Sequence, residues 1–150
     1  MKNIILPIRF GVVISAALIA YFLFLALFGW HTNPAFSLFN GVITAFGIYT
    51  AIKYYKLSQG DQFDYSKGFT TGIVTGFVAT LIFTIFFLLY ATEINENFLD
   101  ELLTVFKGEY NVHIGLVAFG VALMGFATTV ALTLTCMQYF KKSNNLYQKD

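Results

Sequence analysis

The sequence predicts an all-α membrane protein: a bundle of four transmembrane helices, both termini cytoplasmic, with an amphipathic outer helix between the third and fourth spans. Three observations lead there. The chain of 150 residues is 57% hydrophobic and 19% aromatic but only 11% charged, a balance unlike that of a water-soluble domain. Its apolar residues fall in long runs, and one crossing of a bilayer needs roughly 20 of them. Its basic residues gather in alternate connections between those runs, as the positive-inside rule requires. Four crossings leave only short loops, so residues 1–150 form a single transmembrane domain.

From Phe10 to Ile52 there is no charged residue, a stretch long enough for two spans with a tight turn between them. The turn is written at His31-Thr32-Asn33-Pro34. Proline cannot continue a helix but suits the first turn of a new one, and Asn33 can cap that helix. The first span is therefore expected at about 10–30 and the second at about 35–52. A cleavable leader is the competing reading of the start, with Lys2 and Arg9 ahead of an apolar run. The run is long for a leader and Gly29-Trp30-His31-Thr32-Asn33-Pro34 after it lacks a small-x-small site, so the segment is expected to stay as a helix.

Lys53 to Lys67 is polar and charged, with a Gly60-Asp61 turn signal, and reads as a solvent loop. The third span follows at about 68–90. In the next connection Ile94, Phe98, Leu102, Val105 and Phe106 recur at helical spacing, with Glu93, Glu96, Asp100 and Glu101 elsewhere around the wheel. With Thr92 as N-cap and Lys107-Gly108 as stop, this predicts an amphipathic helix over about 93–107. Such a helix either lies along the outer membrane surface or extends the third span and docks its apolar stripe on another protein. Its acidic face favours the protein, with Ile94, Phe98, Leu102 and Phe106 as candidate docking residues. The fourth span is expected at about 114–137, with an extension toward Phe140.

An amino terminus placed inside makes Lys2, Arg9, Lys53, Lys56, Lys67, Lys141, Lys142 and Lys149 cytoplasmic and leaves Lys107 alone outside. Trp30, Tyr90 and Tyr110 then mark the outer interface, and Tyr54, Tyr55, Tyr65 and Tyr139 the inner one.

Within the spans, Gly68, Gly72 and Gly76 recur at intervals of four, with Thr80 continuing the stripe. Small residues at this spacing let a second helix approach backbone to backbone. The fourth span offers complementary small surfaces, Ala118 with Ala122 and Gly125 with Thr129 and Thr133. The stripe serves either packing within the chain or contact with a second protein.

Little points to chemistry. No ionisable residue lies at the centre of any span, against a proton or ion transporter. Thr44, Thr75, Thr84, Thr128 and Thr129 are expected to bond to their own helix backbones, and Asn40 to donate between helices. His31 and His113 lack a ligand-type spacing and read as interfacial or solvated groups rather than metal ligands or pH sensors. Cys136, the single cysteine, reads as apolar packing. No nucleophile and base pair, phosphate-cradling glycine loop or metal motif is present, so no catalytic, cofactor or metal site is expected. No basic, aromatic-interleaved patch suits nucleic acid. Lys53-Tyr54-Tyr55-Lys56 faintly echoes Gln138-Tyr139-Phe140-Lys141, as a parallel repeat of two hairpins would.

The order of these features resembles a family of small bacterial inner-membrane proteins known as a four-helix domain of unknown function. Arg9-Phe10-Gly11 opens the first span, Tyr54-Tyr55-Lys56 and Gly60 mark the inner loop, and Phe63-Asp64-Tyr65-Ser66-Lys67-Gly68-Phe69 enters the third span. The resemblance implies a four-helix bundle in a bacterial inner membrane and carries no functional residues with it. The expected partners are the lipid bilayer and either a second copy or another membrane protein. The leading expectation is a non-catalytic protein that self-associates or serves as an accessory subunit of an envelope complex. The alternatives are a small oligomeric channel or transporter for a neutral solute, or a lipid-handling protein.

Overall fold

A computed structural model describes residues 2–105 and 112–141. Those residues form five α-helices and no strand: α1 (Lys2–Leu27), α2 (Pro34–Gln59), α3 (Tyr65–Leu89), α4 (Phe98–Val105) and α5 (Ile114–Phe140). Four of them, all but α4, are long and apolar enough to cross a membrane. The protein is a helical multi-pass membrane protein.

The helix ends follow local chemistry rather than the edges of the apolar runs. α1 begins upstream of Phe10 and carries Pro7 inside it. That early in a helix, the lost backbone bond and the crowded carbonyl fall in the opening turns. Its other end comes at Leu27 rather than Trp30, because Gly29 takes a left-handed backbone (φ 69°) that a side chain disfavours. Trp30 N then donates to Leu25 O at 3.0 Å and Gly29 N to Ala26 O at 3.1 Å, the paired bonds of a Schellman stop. Asn33 caps α2 as expected, its Oδ1 accepting from Ala35 N at 3.0 Å, with proline in the first turn. α2 runs two turns past the expected Ile52 to Gln59. Nothing breaks it before Gly60, again at positive φ (55°), so the helix continues beyond its apolar portion. A short 3-10 turn, Gly60–Gln62, leads to Asp64, whose Oδ1 accepts from Ser66 N and starts α3 three residues before the expected Gly68.

The expected outer helix over 93–107 is two elements. α3 passes into a π-helical turn, Tyr90–Ile94, and the chain breaks at Asn95 before α4 begins. Thr92 is not a cap, since its hydroxyl donates back to Leu88 O at 2.9 Å. Asn95 Oδ1 instead accepts from Asn97 N and turns the chain. Phe106 and the Lys107-Gly108 stop lie outside the described residues. α5 starts at His113, whose Nδ1 accepts from Gly115 N at 3.1 Å, and reaches the extended limit at Phe140.

α3 is the centre of the bundle. It packs against α1, α2 and α5, while α2 also touches α1 and α5. The core divides along the membrane normal. At the α4 end lie Phe22, Phe87, Tyr90, Ala91, Phe98 and Ala118. Ile14, Leu18 and Ala79 fill the middle, and Ile48, Ile52, Met137 and Phe140 the opposite end. There Cys136 packs at the margin of the cluster and Lys56 Nζ stands over Phe63 and Phe140, 5.6 and 5.3 Å from the ring centroids. The bundle's outside is apolar: Leu38, Phe46, Met124 and Tyr139 are each more than 70% exposed, a surface suited to acyl chains and untenable in water.

Candidate functional site

Two features organise what the bundle can do: a glycine–threonine seam through its centre and an aromatic cap at its α4 end.

The seam joins α3 to α5 in antiparallel register. Gly68 faces Met137, Gly72 faces Thr133, Gly76 faces Thr129, and Thr80 faces Gly125, each step four residues up one helix and four down the other. A Cβ on Gly72 would stand 2.5 Å from Thr133 Cγ2, and one on Gly125 the same distance from Thr80 Cγ2, so the backbones meet with no room for a side chain. Farther along the register Ala118 packs with Phe87, while Ala122, between Gly125 and Ala118, is half-buried. The stripe is thus occupied inside the chain, and none of its glycines is free for a second protein. Two more close approaches have no counterpart in the sequence expectations. Gly11 of α1 lies against Val78 and the Thr75 carbonyl of α3, and Gly47 of α2 against Ile14 of α1. Gly11 with Ser15, and Gly47 with Ala51, are small residues four apart, the same signal that marks Gly72 and Gly76.

The threonines are sealed in these seams. Thr44 donates to Asn40 O at 2.8 Å, as expected. Thr75, Thr84, Thr129 and Thr133 instead carry buried hydroxyl oxygens with no hydrogen-bond partner. At Thr129 and Thr133 both the methyl and the hydroxyl stand against Gly76 and Gly72, the methyl nearer in each case, where the glycine has an α-hydrogen in place of a Cβ. Asn40 does not bridge helices either; its Oδ1 is buried without a partner.

At the α4 end the chain folds back over itself. Phe98, only 1% exposed, packs its ring against Phe87 (5.5 Å between centroids), Tyr90 (5.4 Å), Phe22 (5.9 Å) and His31 (5.0 Å, planes 16° apart). Leu102 follows it into the cluster. Of the candidate docking residues, Phe98 and Leu102 therefore face their own bundle, Ile94 remains 66% exposed in the π turn, and Phe106 lies outside the described residues. The exposed face of α4 carries Asp100, Glu101 and Thr104.

His31 is half-buried rather than solvated. Phe22 and Tyr90 meet it edge to face at 5.6 and 5.9 Å, Phe98 stacks on it, and both ring nitrogens are buried without partners. Burial holds the imidazole below its ordinary pKa of 6.5, while the Glu101 carboxylate on α4 pulls the other way without cancelling the effect. His113 is elsewhere, exposed and capping α5. No group of three or more metal-ligating side chains occurs among the described residues.

Residues 9–115 match the model of a family described as a protein of unknown function, DUF4199. The chain belongs to that family. The DUF4199 match runs from Arg9 in α1 to the first turn of α5, and so takes in the aromatic cap and the α3 half of the seam. No curated protein and no solved structure matches the chain.

Proposed function

We propose that this DUF4199 protein is a non-catalytic accessory subunit of a bacterial inner-membrane complex, with both termini cytoplasmic and α4 on the outer side. One observation carries the reading: Phe98 pins α4 to the bundle so that Asp100 and Glu101 are held outward on a fixed surface. Arg9, Lys53, Lys56, Lys67 and Lys141 at the opposite end support the orientation. The bacterial setting rests on the resemblance of the inner loop and the entry to α3. The seam supports a scaffold role by making the spans one packed unit, although self-association must then use surfaces other than the glycine stripe. Crosslinking in native membranes from a cysteine placed at Asp100 tests this. A discrete adduct with a second copy or another membrane protein is expected. Adducts absent at Asp100 but present on the lipid-facing side of α5 would overturn the role given to α4.

A second reading, lipid handling, is favoured by an open groove beside α1, lined by Ala20, Leu23, Phe24, Ala26, Leu27 and Tyr90. Its lining is apolar over about two turns of α1, with Tyr90 as its one polar side chain. Lipid retained through purification and lost on Ala20→Trp would support it. A channel for a neutral solute has less to stand on, because Thr75, Thr129 and Thr133, which would line it, are at most 2% exposed.

A further inference from the structure

The aromatic cap brings together a short helix and a histidine whose state of charge bears on how that helix is held. α4 has eight residues, too few to persist alone in water, so its stability comes from docking. The docking runs through Phe98 and Leu102, and the Phe98 ring lies flat on His31. Around His31, α1 contributes Phe22, the π turn contributes Tyr90, and α4 contributes Phe98 and Glu101. α5 adds the apolar Ile114, Val117, Ala118 and Val121 to the same cluster. Among the described residues, Tyr90 meets the ring and the Glu101 carboxylate, on the exposed side of α4, acts on it through its charge alone; neither hydrogen-bonds to it, since both ring nitrogens lack partners.

We propose that α4 is a pH-dependent lid: it stays docked over the Phe22–Phe87–Tyr90 surface while His31 is neutral and is released when His31 is protonated. A neutral imidazole fits among the rings. An imidazolium would bury two N–H donors that no described residue accepts, and a charge that, among the described residues, the Glu101 carboxylate and the ring faces offset. Undocked, His31 meets water and titrates normally. The docked imidazole has the lower pKa, so docking is at full strength above about 6.5 and is lost as pH falls through that value toward the docked pKa. In that window the docking equilibrium weakens by up to about tenfold per pH unit. Release uncovers a ring-lined surface at the mouth of the bundle on the α4 side. This goes beyond the accessory-subunit reading and holds whether or not α4 meets a partner.

Hydrogen exchange of the full chain in lipid nanodiscs, followed over Phe98–Val105 between about pH 7.5 and about pH 5 and corrected for the intrinsic pH dependence of exchange, tests it. Protection of α4 is expected to fall below about pH 6.5 while α1 and α5 keep theirs. His31→Phe, which keeps the stacking and cannot titrate, should hold α4 protected throughout. Glu101→Gln removes the carboxylate that offsets the imidazolium without touching the core, and should leave the onset in place while deepening the loss at low pH. An α4 that stays protected at acid pH in both the parent and Glu101→Gln overturns the proposal, as does an acid response undiminished in a folded His31→Phe variant. Protection that increases on acidification overturns it too, because an imidazolium–Glu101 pair would then be holding α4 down.

Discussion

Gly72 of α3 lies directly under Thr133 of α5, with no space between them for even a methyl group. The same relationship repeats one turn away at Gly76 and Thr129, so a substitution at either glycine must push the helices apart rather than fill a hole.

Gly72→Ala is therefore expected to cost about 1–3 kcal/mol, as overpacking does, and Gly72→Leu to prevent the native bundle from forming. Thr133→Ala removes the two Thr133 atoms in the way, leaving Ile52 Cδ1 3.0 Å from the new methyl, and should recover part of the loss in the double variant. A thermal-unfolding cycle in detergent measures this coupling. The oligomeric state of variants that still fold should not change, because the seam lies within one chain.

Thr75 is wholly buried and its hydroxyl has no partner. Thr75→Val replaces that hydroxyl with a methyl of similar size and is expected to be neutral or stabilising by about 1 kcal/mol. A marked loss of stability in the same unfolding assay would mean that the hydroxyl has a partner such as an ordered water.

Phe98→Ala removes the side chain that fastens α4. A buried phenylalanine of this kind is worth about 3–5 kcal/mol, and here the loss should fall on α4 docking rather than on the four spans. Limited proteolysis between Asn95 and Thr104 should become fast while the unfolding temperature of the bundle changes little. A large drop in that temperature would show α4 to be part of the cooperative core.

Glu96 and Gln62 are exposed and belong to opposite ends of the bundle. In a Cys136→Ala background, a membrane-impermeant maleimide added outside intact spheroplasts should label Glu96→Cys and spare Gln62→Cys. The reverse pattern would invert the proposed topology.

How much of the molecule is legible in its sequence depends on the physics behind each signal. Long apolar runs mark the spans because lipid demands them, and the Asn33-Pro34 start of α2 is local chemistry written in adjacent residues. The pairing of Gly72 and Gly76 with Thr133 and Thr129 is visible as two stripes of matching period. Helix ends are less legible, since hydropathy reports where lipid stops and not where the backbone breaks: α2 runs on through Lys53 and Lys56 until Gly60 ends it. The inward turn of Phe98 has no signature. An apolar stripe shows which side of a helix will be covered, not what will cover it, and only the break at Asn95 turns this one onto its own bundle. The covering of the His31 ring nitrogens is hidden for the same reason, because Tyr90 and Phe98, which close over the ring beside Phe22, lie far along the chain from it.

The seam also has a bearing on how the protein is made. α5 is the last of the four spans to leave the ribosome, and it supplies Thr129, Thr133 and Gly125, the residues that cover the small-residue face of α3. Until it inserts, the first three spans carry an open slot along their central helix, shaped for one particular neighbour. A nascent chain stalled before α5 would leave that slot open, so the central helix is covered only once α5 has inserted.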